Sequence, residues 1–547
     1  MVYFSALLLS LFITLALVPV FRRLAVRLRA IDTPDERKVH TMPMARTGGL
    51  AMATGTFIPV ILWMPGSSLL QPLILASGLI VSVGFWDDLK NLGFRAKFAA
   101  QIVAALVVIL WGGVQIRSLG MLLPDGMLLP GYIAIPLTLI TIVGVTNAIN
   151  LSDGLDGLAG GICLLSFLCL GYLGYQSGNA TACLVAASVC GAIFGFLRFN
   201  TFPASVFMGD AGSQLLGFLA ITLALGLTQG TPYSPLLPLV LLGFPVFDTV
   251  RVMMERMHRG FSPFVADRTH FHHKLLGIGL RHSEAVLVIY LFQGTLTLAA
   301  YLLRFHSDWL LLGGYLAFSV FNFVLLHLAG KEKWAIRLPN ERLSAWRKFN
   351  HYLHASALAV RLAFSGLGWM LLVLAVFYLL LPMEVPLWLG WGALGASMVL
   401  LAGFLLEARF QGILLRSAFY LVMPYLIYSV QVQDNDILGL RLLQASHVGS
   451  LLLGLLGVLV VKLTRRKGYQ ATPLDFLILV IALIVPCFPG FQVDKFVLVI
   501  AAAKIVTLFF GFEIFLVEKR GELGRLRTLV IIGLALTAGR AFFSINF

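Results

Sequence analysis

Two adjacent aspartates, Asp87 and Asp88, end an apolar stretch in the segment WDDLKN. Neighbouring carboxylates repel each other, and an aspartate deep in hydrocarbon costs on the order of 3 kcal/mol. Such a pair typically holds a divalent cation, or binds and deprotonates a charged group; the alternative is a solvated helix end. Lys97 follows shortly afterwards and could meet a phosphate as a point charge. The segment therefore predicts a polar site for Mg²⁺ and an anion.

Glycine-rich segments supply further polar residues. Asp210 lies between two glycines in FMGDAGS, and the stretch NAINLSDGLDGLAGG (147–161) contains Asn150, Asp153 and Asp156. Glycine lets a ligand approach the backbone closely, and the N-terminus of a following helix favours anions. We therefore expect Asp210 to be a Mg²⁺ ligand near a pyrophosphate, with Asn150 and Asp153 near the metal and Asp156 behind them. A helix cap at Asp210 and an ordinary polar turn at 147–161 are the alternatives.

A histidine-rich segment, RTHFHH, contains Arg268, His270, His272 and His273. Zinc binding is disfavoured because no cysteine or carboxylate stands at a supporting spacing. Groups that hydrogen-bond a phosphate or a nucleotide suit a site rich in anion-binding elements. A basic loop at the membrane interface is the alternative.

Membrane-spanning helices are the elements that must position these residues. The chain has 547 residues, 59% hydrophobic and 12% charged, whereas soluble domains carry about 25% charged residues. Apolar runs of roughly 20 residues predict an all-α polytopic integral membrane protein with about 18 transmembrane helices, about eleven up to residue 330 and about seven beyond. The predicted spans lie near 1–20, 48–65, 69–86, 97–116, 130–147, 158–176, 180–198, 213–229, 235–253, 285–303, 309–329, 363–382, 386–405, 412–430, 446–463, 474–490, 496–516 and 528–545.

The distribution of Lys and Arg predicts the orientation of the chain. The net charge is +15, but the cations fall in short clusters between apolar runs, which is typical of cytoplasmic loops. We therefore expect membrane lipids as partners and no nucleic acid. If the arginine-rich segment after the first span is cytoplasmic, alternation places the polar loops on the cytoplasmic face. These loops are 32–49, 86–97, 147–161, 199–213 and 247–274.

Acidic residues for Mg²⁺, cations for pyrophosphate and close-approach glycines at a membrane boundary favour one reaction class. That class is phosphoryl transfer between a soluble nucleotide-activated donor and a lipid phosphate, which needs mainly positioning and charge neutralisation. A transporter or flippase is the rival hypothesis, and it would need ionisable groups near the bilayer midplane or inverted repeats. The polar groups of residues 1–330 cluster at one membrane face instead.

Four segments occur in an order that makes residues 1–330 resemble the polyprenyl-phosphate N-acetylhexosamine-1-phosphate transferases of glycosyltransferase family 4. They are DDLKN, NAINLSDGLDGLAGG, FNTFPASVFMGDAGS and DRTHFHHKLL. The resemblance implies a UDP-HexNAc donor, undecaprenyl phosphate as acceptor, release of UMP, and Mg²⁺, with Mn²⁺ as an alternative. It also implies a multi-pass protein of the bacterial cytoplasmic (inner) membrane whose active site faces the cytoplasm, and it leaves a homodimer open.

The resemblance also implies roles for individual residues. Asp210 would bind Mg²⁺ with Asn150, and Asp87, with Asp88 beside it, would deprotonate or position the lipid phosphate. Asp153 and Asp156 complete the expected catalytic set. The expected substrate contacts are Lys97 to the pyrophosphate, Asn200 and Phe207 to the nucleoside with the ring stacked on uracil, and Arg268, His270, His272 and His273 to the donor.

Phe271 interrupts the continuous histidine triplet that is typical of the muramoyl-pentapeptide transferase branch. A simple UDP-HexNAc donor, UDP-GlcNAc above all, is therefore favoured, with GalNAc, 6-deoxy HexNAc and muramoyl-pentapeptide donors left open. The resemblance ends near residue 330. We predict a basic cytoplasmic linker at 331–361 and a C-terminal multi-span domain at 362–547 without an assigned role. Lys504 and Arg540 lie within its predicted spans and either pair internally or snorkel, or line a polar path.

Overall fold

A computed structural model describes residues 2–28, 30–32, 43–64, 66–90, 92–124, 127–262, 269–331, 357–380, 385, 387–402, 408–432, 437–463, 495–518 and 524–543. These residues are almost entirely helical and fall into two compact units, one before and one after the gap at 332–356. Among the described residues, nine helices are long and apolar enough to cross a membrane. The predicted all-α polytopic membrane fold is confirmed.

The first unit places one helix, Gly209–Thr228, at its centre. This helix, α8, carries mainly Leu, Ala, Gly and Phe on all sides, and 94% of its most apolar 18-residue stretch is buried. A helix that is apolar all round lies either in a protein core or against lipid, and the burial of α8 shows that other helices enclose it. The helices of the unit are α1 Val2–Leu28, α2 Gly48–Leu62, α3 Leu70–Lys90, α4 Phe94–Leu110, α5 Gly131–Leu151, α6 Leu158–Gln176, α7 Ala180–Asn200, α8, α9 Leu237–Leu241, α10 Gly243–His258, α11 Phe271–Gly277, α12 His282–Leu302 and α13 Asp308–Lys331. Two short strands, β1 Ile31–Asp32 and β2 Met44–Ala45, pair antiparallel.

Loops that follow α4, α8 and α12 meet at one end of this unit. The carboxylate of Asp308 accepts the backbone N–H of Met121 at 2.7 Å and the hydroxyl of Ser234. Gln229 Oε1 accepts the backbone N–H groups of Arg117 and Ser118, each at 3.0 Å. The opposite ends of α4 and α8 begin at Phe94 and Gly209, within two of the polar segments that the sequence singles out.

One predicted span, 235–253, is divided into α9 and α10. Pro245 has no backbone N–H, so the carbonyl of Leu241 lacks its usual helical donor. The side chains of Gln293 and Ser166 donate to this carbonyl at 2.7 and 3.2 Å instead. The buried break is thus satisfied by α12 and α6, and α10 extends beyond the predicted end of the span to His258.

The second unit contains helices α14 Ala357–Leu380, α15 Leu387–Ala402, α16 Ala408–Val432, α17 Ile437–Leu463, α18 Lys495–Glu518 and α19 Gly524–Phe543. Its mid-helix cations pair internally. Lys504 Nζ donates to Gln431 Oε1 at 2.8 Å and to Ser446 Oγ at 2.7 Å, and Arg540 Nη1 donates to the carbonyl of Leu379 at 2.8 Å. The span predicted at 474–490 and most of the predicted linker lie outside the described residues.

Candidate active site

Asp88 fixes the start of α8. Its Oδ1 accepts the backbone N–H of Asp210 at 3.0 Å and its Oδ2 that of Ala211 at 3.3 Å. The first N–H groups of a helix have no partner within the helix, and a carboxylate is favoured at this positive end. Asp88 is only 6% exposed. The structure therefore gives Asp88 the role of holding Asp210 in place, while its predicted catalytic role stays a prediction.

Two glycines let α3 and α8 meet at this point. Gly209 has φ +71°, and a Cβ there would lie 2.5 Å from Asp88 Oδ2. Gly84 lies one helical turn before the aspartate pair, and a Cβ on it would lie 2.7 Å from the Cα of Ala211. Only glycine fits such a contact without displacing the partner backbone. These positions therefore set the separation between the aspartate pair on α3 and Asp210, the predicted metal ligand, on α8.

Lys97 joins the two helices electrostatically. Its Nζ lies 2.9 Å from Asp87 Oδ2 and 2.7 Å from Asp210 Oδ2. Asp87 is 5% exposed, and its other oxygen, Oδ1, is buried without a hydrogen-bond partner. Three residues that are distant in sequence thus form one cluster. The predicted contact of Lys97 with a pyrophosphate stays a prediction, because here the ammonium group is shared by two carboxylates.

The polar turn between α5 and α6 lies against this cluster. Asn150 Oδ1 accepts the hydroxyl of Ser213 at 2.6 Å, one turn into α8. Burial, together with the negative charges of Asp210 and Asp156, raises the pKa of Asp153 to about 7. Asp156 Oδ2 accepts the backbone N–H of Ala204 at 2.9 Å, so it ties the turn to the loop after α7. The ordinary-turn alternative does not explain this convergence on Asp210.

A cavity of about 730 Å³ opens beside these residues, within the usual range for a small-molecule site. Lys97 contacts the wall residue Asp210, and Asp87 is joined to it through Lys97. The predicted site residues on the wall are Asp88, Asn150, Asp153, Asp156, Asn200, Phe207, Asp210 and His273.

Asn200 and Phe207, which the family resemblance places at the nucleoside, differ in their surroundings. Asn200 is 3% exposed; its Oδ1 accepts the N–H of Gly157 at 2.9 Å and its Nδ2 donates to the carbonyl of Val206 at 3.0 Å. Both polar groups of Asn200 therefore hold two loops together. Phe207 is partly exposed on the wall, and its backbone N–H donates to Ala45 at 2.8 Å. Its placement agrees with the predicted stacking on a base, and that role stays a prediction.

The predicted histidine cluster divides into one wall residue and two buried residues. His273 lines the cavity, whereas His270 and His272 are 6% and 4% exposed and lie outside its wall. His270 Nδ1 pairs with Asp248 Oδ2 at 2.9 Å. Burial lowers the pKa of His272 to about 3, so its ring is neutral near pH 7. Contact of His270 and His272 with a donor stays a prediction, and Arg268 lies outside the described residues.

Three ionisable wall residues were absent from the sequence-based set: Asp32, Arg46 and His282. Arg46 forms an ion pair with Asp32, and His282 stacks on Phe202 with ring centroids 4.3 Å apart. His282 Nε2 also accepts the backbone N–H of Asp156 at 3.1 Å. Arg46 belongs to a polar loop that the sequence singled out, but the sequence could not predict that its side chain faces the cavity. Nothing near His282 in the sequence marks it.

Oxygen atoms dominate the possible metal ligands. Asp210, Asn150 and Asp153 line the cavity, and Asp87 is linked to Asp210 through Lys97. Mg²⁺ prefers oxygen ligands and is often held by one or two carboxylates together with substrate phosphates. Within the part of the chain that the structure describes, no three His, Cys, Asp or Glu side chains form a closed metal cage. The residues therefore fit a cation that is completed by a phosphorylated substrate.

Comparisons with known proteins identify the family that the chain matches. A family model described as glycosyl transferase family 4 matches residues 70–228. A probable undecaprenyl-phosphate N-acetylglucosaminyl 1-phosphate transferase of Bacillus subtilis (strain 168) is 33% identical over 352 residues, 63% of this chain and 95% of that protein. A decaprenyl-phosphate N-acetylglucosaminephosphotransferase of Mycolicibacterium smegmatis is 35% identical, over 51% of this chain and 76% of its own length. An undecaprenyl-phosphate alpha-N-acetylglucosaminyl 1-phosphate transferase of Yersinia pestis is 29% identical, over 59% and 90%.

Proposed function

The chain belongs to glycosyl transferase family 4, and we propose that it transfers N-acetylhexosamine 1-phosphate from a UDP-linked donor to a polyprenyl phosphate. UDP-N-acetylglucosamine and undecaprenyl phosphate are the favoured substrates, and UMP is the expected second product. The names of the relatives support the acetylglucosamine 1-phosphate group and the polyprenyl acceptor.

The convergence of Asp87, Lys97 and Asp210 carries this proposal. The three side chains are contributed by α3, α4 and α8, and Lys97 Nζ lies within 3 Å of a carboxylate oxygen of each aspartate. They stand at one end of an apolar helix bundle, beside a cavity large enough for a nucleotide sugar. A membrane-embedded lipid phosphate and a water-soluble donor can meet at such a boundary.

Direct attack is the mechanism we favour. An oxygen of the lipid phosphate attacks the β-phosphorus of the donor, and the bond from that phosphorus to the bridging oxygen breaks as UMP leaves with the electron pair. Asp87, which Lys97 links to Asp210, is the residue we expect to accept a proton from the lipid phosphate or to orient it. Lys97 neutralises the developing charge once a substrate phosphate competes with Asp87 and Asp210 for its ammonium group.

Asp210, Asn150 and Asp153 are the residues we expect to hold Mg²⁺, with Mn²⁺ as an alternative. When bound, the cation supplies charge neutralisation to the transferring phosphoryl group. Asp88 holds Asp210 in position by accepting its backbone N–H. Phe207 offers an aromatic face on which the base can stack. We place this site at the cytoplasmic face of the inner membrane, since the basic loops belong to the same side by the positive-inside rule.

The test is a donor panel with detergent-solubilised protein, undecaprenyl phosphate and Mg²⁺. UDP-GlcNAc, UDP-GalNAc, a 6-deoxy UDP-HexNAc and UDP-MurNAc-pentapeptide are compared for UMP release and for label in the butanol phase. We expect UDP-GlcNAc to give labelled lipid and UMP in equal amounts, and chelation by EDTA to stop both. Absence of lipid product from every donor, with folded protein, would overturn the proposal and favour the transporter hypothesis.

A further inference from the structure

The cavity wall carries a strong excess of acidic side chains. Five aspartates line it, whereas the described wall residues include a single basic side chain of the Lys or Arg type, that of Arg46. The proposed substrates bring a diphosphate and a lipid phosphate into this space. Lys97 already lies between two carboxylates behind the wall. A cation that faces the cavity itself would offset part of the incoming charge, in addition to a metal ion.

The backbone around Arg46 is fixed on both sides. Its own N–H donates to the carbonyl of Ala30 at 3.1 Å, beside the β1–β2 pair. On the other side, the N–H of Gly48 donates to the carbonyl of Phe207 at 3.0 Å. The carbonyl of Arg46 lies against Gly209, where a Cβ would come within 2.8 Å of it. Arg46 thus sits on a rigid segment next to the start of α8 and the predicted base-stacking ring.

Asp32 holds the side chain of Arg46 at the cavity. Asp32 lies across from Met44, the first residue of β2, and its Oδ1 pairs with Nη2 of Arg46. The arginine side chain is 25% exposed and the aspartate side chain 9%, so the guanidinium is the more accessible partner. A guanidinium carries five N–H donors in a planar fork, and this fork matches two oxygens of one phosphate.

We propose that Arg46, positioned by Asp32, is a phosphate-binding residue of this site. The proposal rests on the proposed function, because that function supplies the phosphorylated ligands. The phosphate is either the diphosphate of the nucleotide donor or the headgroup of the polyprenyl phosphate. A purely structural ion pair between Arg46 and Asp32 is the competing explanation.

The test compares Arg46→Gln, Arg46→Lys and a matched control, Arg117→Gln, whose arginine is exposed at the opposite end of the same unit. Binding of UDP and of undecaprenyl phosphate is measured separately by titration calorimetry in detergent with Mg²⁺. We expect Arg46→Gln to weaken one of these ligands by about 10-fold to 100-fold, as for the loss of a charge-assisted hydrogen bond. Arg46→Lys retains the charge without the fork and should lose less, and the control should match the wild type.

The two binding arms identify the source of the phosphate. Weaker UDP binding alone assigns Arg46 to the donor diphosphate, and weaker lipid binding alone assigns it to the acceptor headgroup. Unchanged binding of both ligands, within twofold, in an Arg46→Gln protein with the wild-type thermal midpoint would overturn the proposal, as would a wild type that binds neither ligand. A protein that binds through Arg46 but transfers no sugar phosphate would refute the proposed function and leave this inference standing.

Discussion

Replacement of Gly84 by alanine tests whether the separation of α3 and α8 sets the geometry of the site. A Cβ at Gly84 would lie 2.7 Å from Ala211 Cα, 2.8 Å from Ala211 N and 3.0 Å from the carbonyl carbon of Asp210. Carbon atoms in ordinary contact are about 3.5–4.0 Å apart, so the two helices must separate by roughly 1 Å. All three obstructing atoms belong to backbone, so no side-chain rotation can relieve the contact.

The expected loss follows from that displacement. A misplacement of about 1 Å at a reacting centre can cost roughly 100-fold in rate, and overpacking of this kind costs about 1–3 kcal/mol in stability. The initial rate of UDP-GlcNAc-dependent lipid labelling and the thermal midpoint in detergent report the two effects. Gly78→Ala is the matched control, because Gly78 lies in the same helix and a Cβ there would meet nothing within 4 Å. A Gly84→Ala rate within twofold of the Gly78→Ala rate would refute the reasoning.

Three further predictions follow from single contacts. Asp88→Ala leaves the backbone N–H groups of Asp210 and Ala211 without an acceptor and should lower the free energy of unfolding by about 2 kcal/mol. Asp88→Asn retains an acceptor oxygen and should lose less. Thermal midpoints measure both losses, and equal midpoints for the wild type and Asp88→Ala would contradict the capping role. Lys97→Met leaves Asp87 and Asp210 to repel each other and should lower kcat by roughly 100-fold or more, with partial rescue in Lys97→Arg. Steady-state kinetics at saturating Mg²⁺ measure this loss. A retained kcat would contradict the role of Lys97 in joining the two aspartates. His272 has a pKa of about 3 in the folded protein against about 6.5 in the unfolded chain, so its contribution to stability is complete above pH 6.5 and is lost as the pH falls towards 3. The loss is at most about 1.4 kcal/mol per pH unit. Thermal midpoints measured between pH 5 and 7 should therefore fall less steeply for His272→Gln than for the wild type, and identical slopes would exclude a buried neutral ring.

The helical framework could be predicted from the sequence because hydrocarbon leaves the backbone few options. Long apolar runs must form helices that satisfy their own hydrogen bonds, and alternation then brings distant loops to one end of the bundle. The meeting of Asp87, Lys97 and Asp210 is a consequence of that alternation. The break between α9 and α10 was not predicted, although Pro245 is visible in the sequence, because the donors to the freed carbonyl of Leu241 are Gln293 and Ser166 on other helices.

The division of labour within the site could not be predicted in the same way. Asp87 and Asp88 are neighbours in sequence, but successive helix positions point about 100° apart, so one meets Lys97 and the other caps α8. Asn200 carries a polar group that could bind a ligand, yet both its polar atoms are consumed by loop backbones. Only the packed structure shows which polar atoms are already used and which face the cavity.

The most direct test of the central claim uses UDP-GlcNAc labelled with ³²P in the β-phosphate and with ³H in the sugar. Wild type and Asp210→Ala are incubated with undecaprenyl phosphate and Mg²⁺, and both labels and UMP are quantified. The wild type should place both labels in the lipid in equimolar amounts with matching UMP, and Asp210→Ala should fall by roughly 100-fold or more at an unchanged thermal midpoint. Transfer of the sugar label without the phosphorus label, or a full rate in Asp210→Ala, would contradict sugar-phosphate transfer at this site.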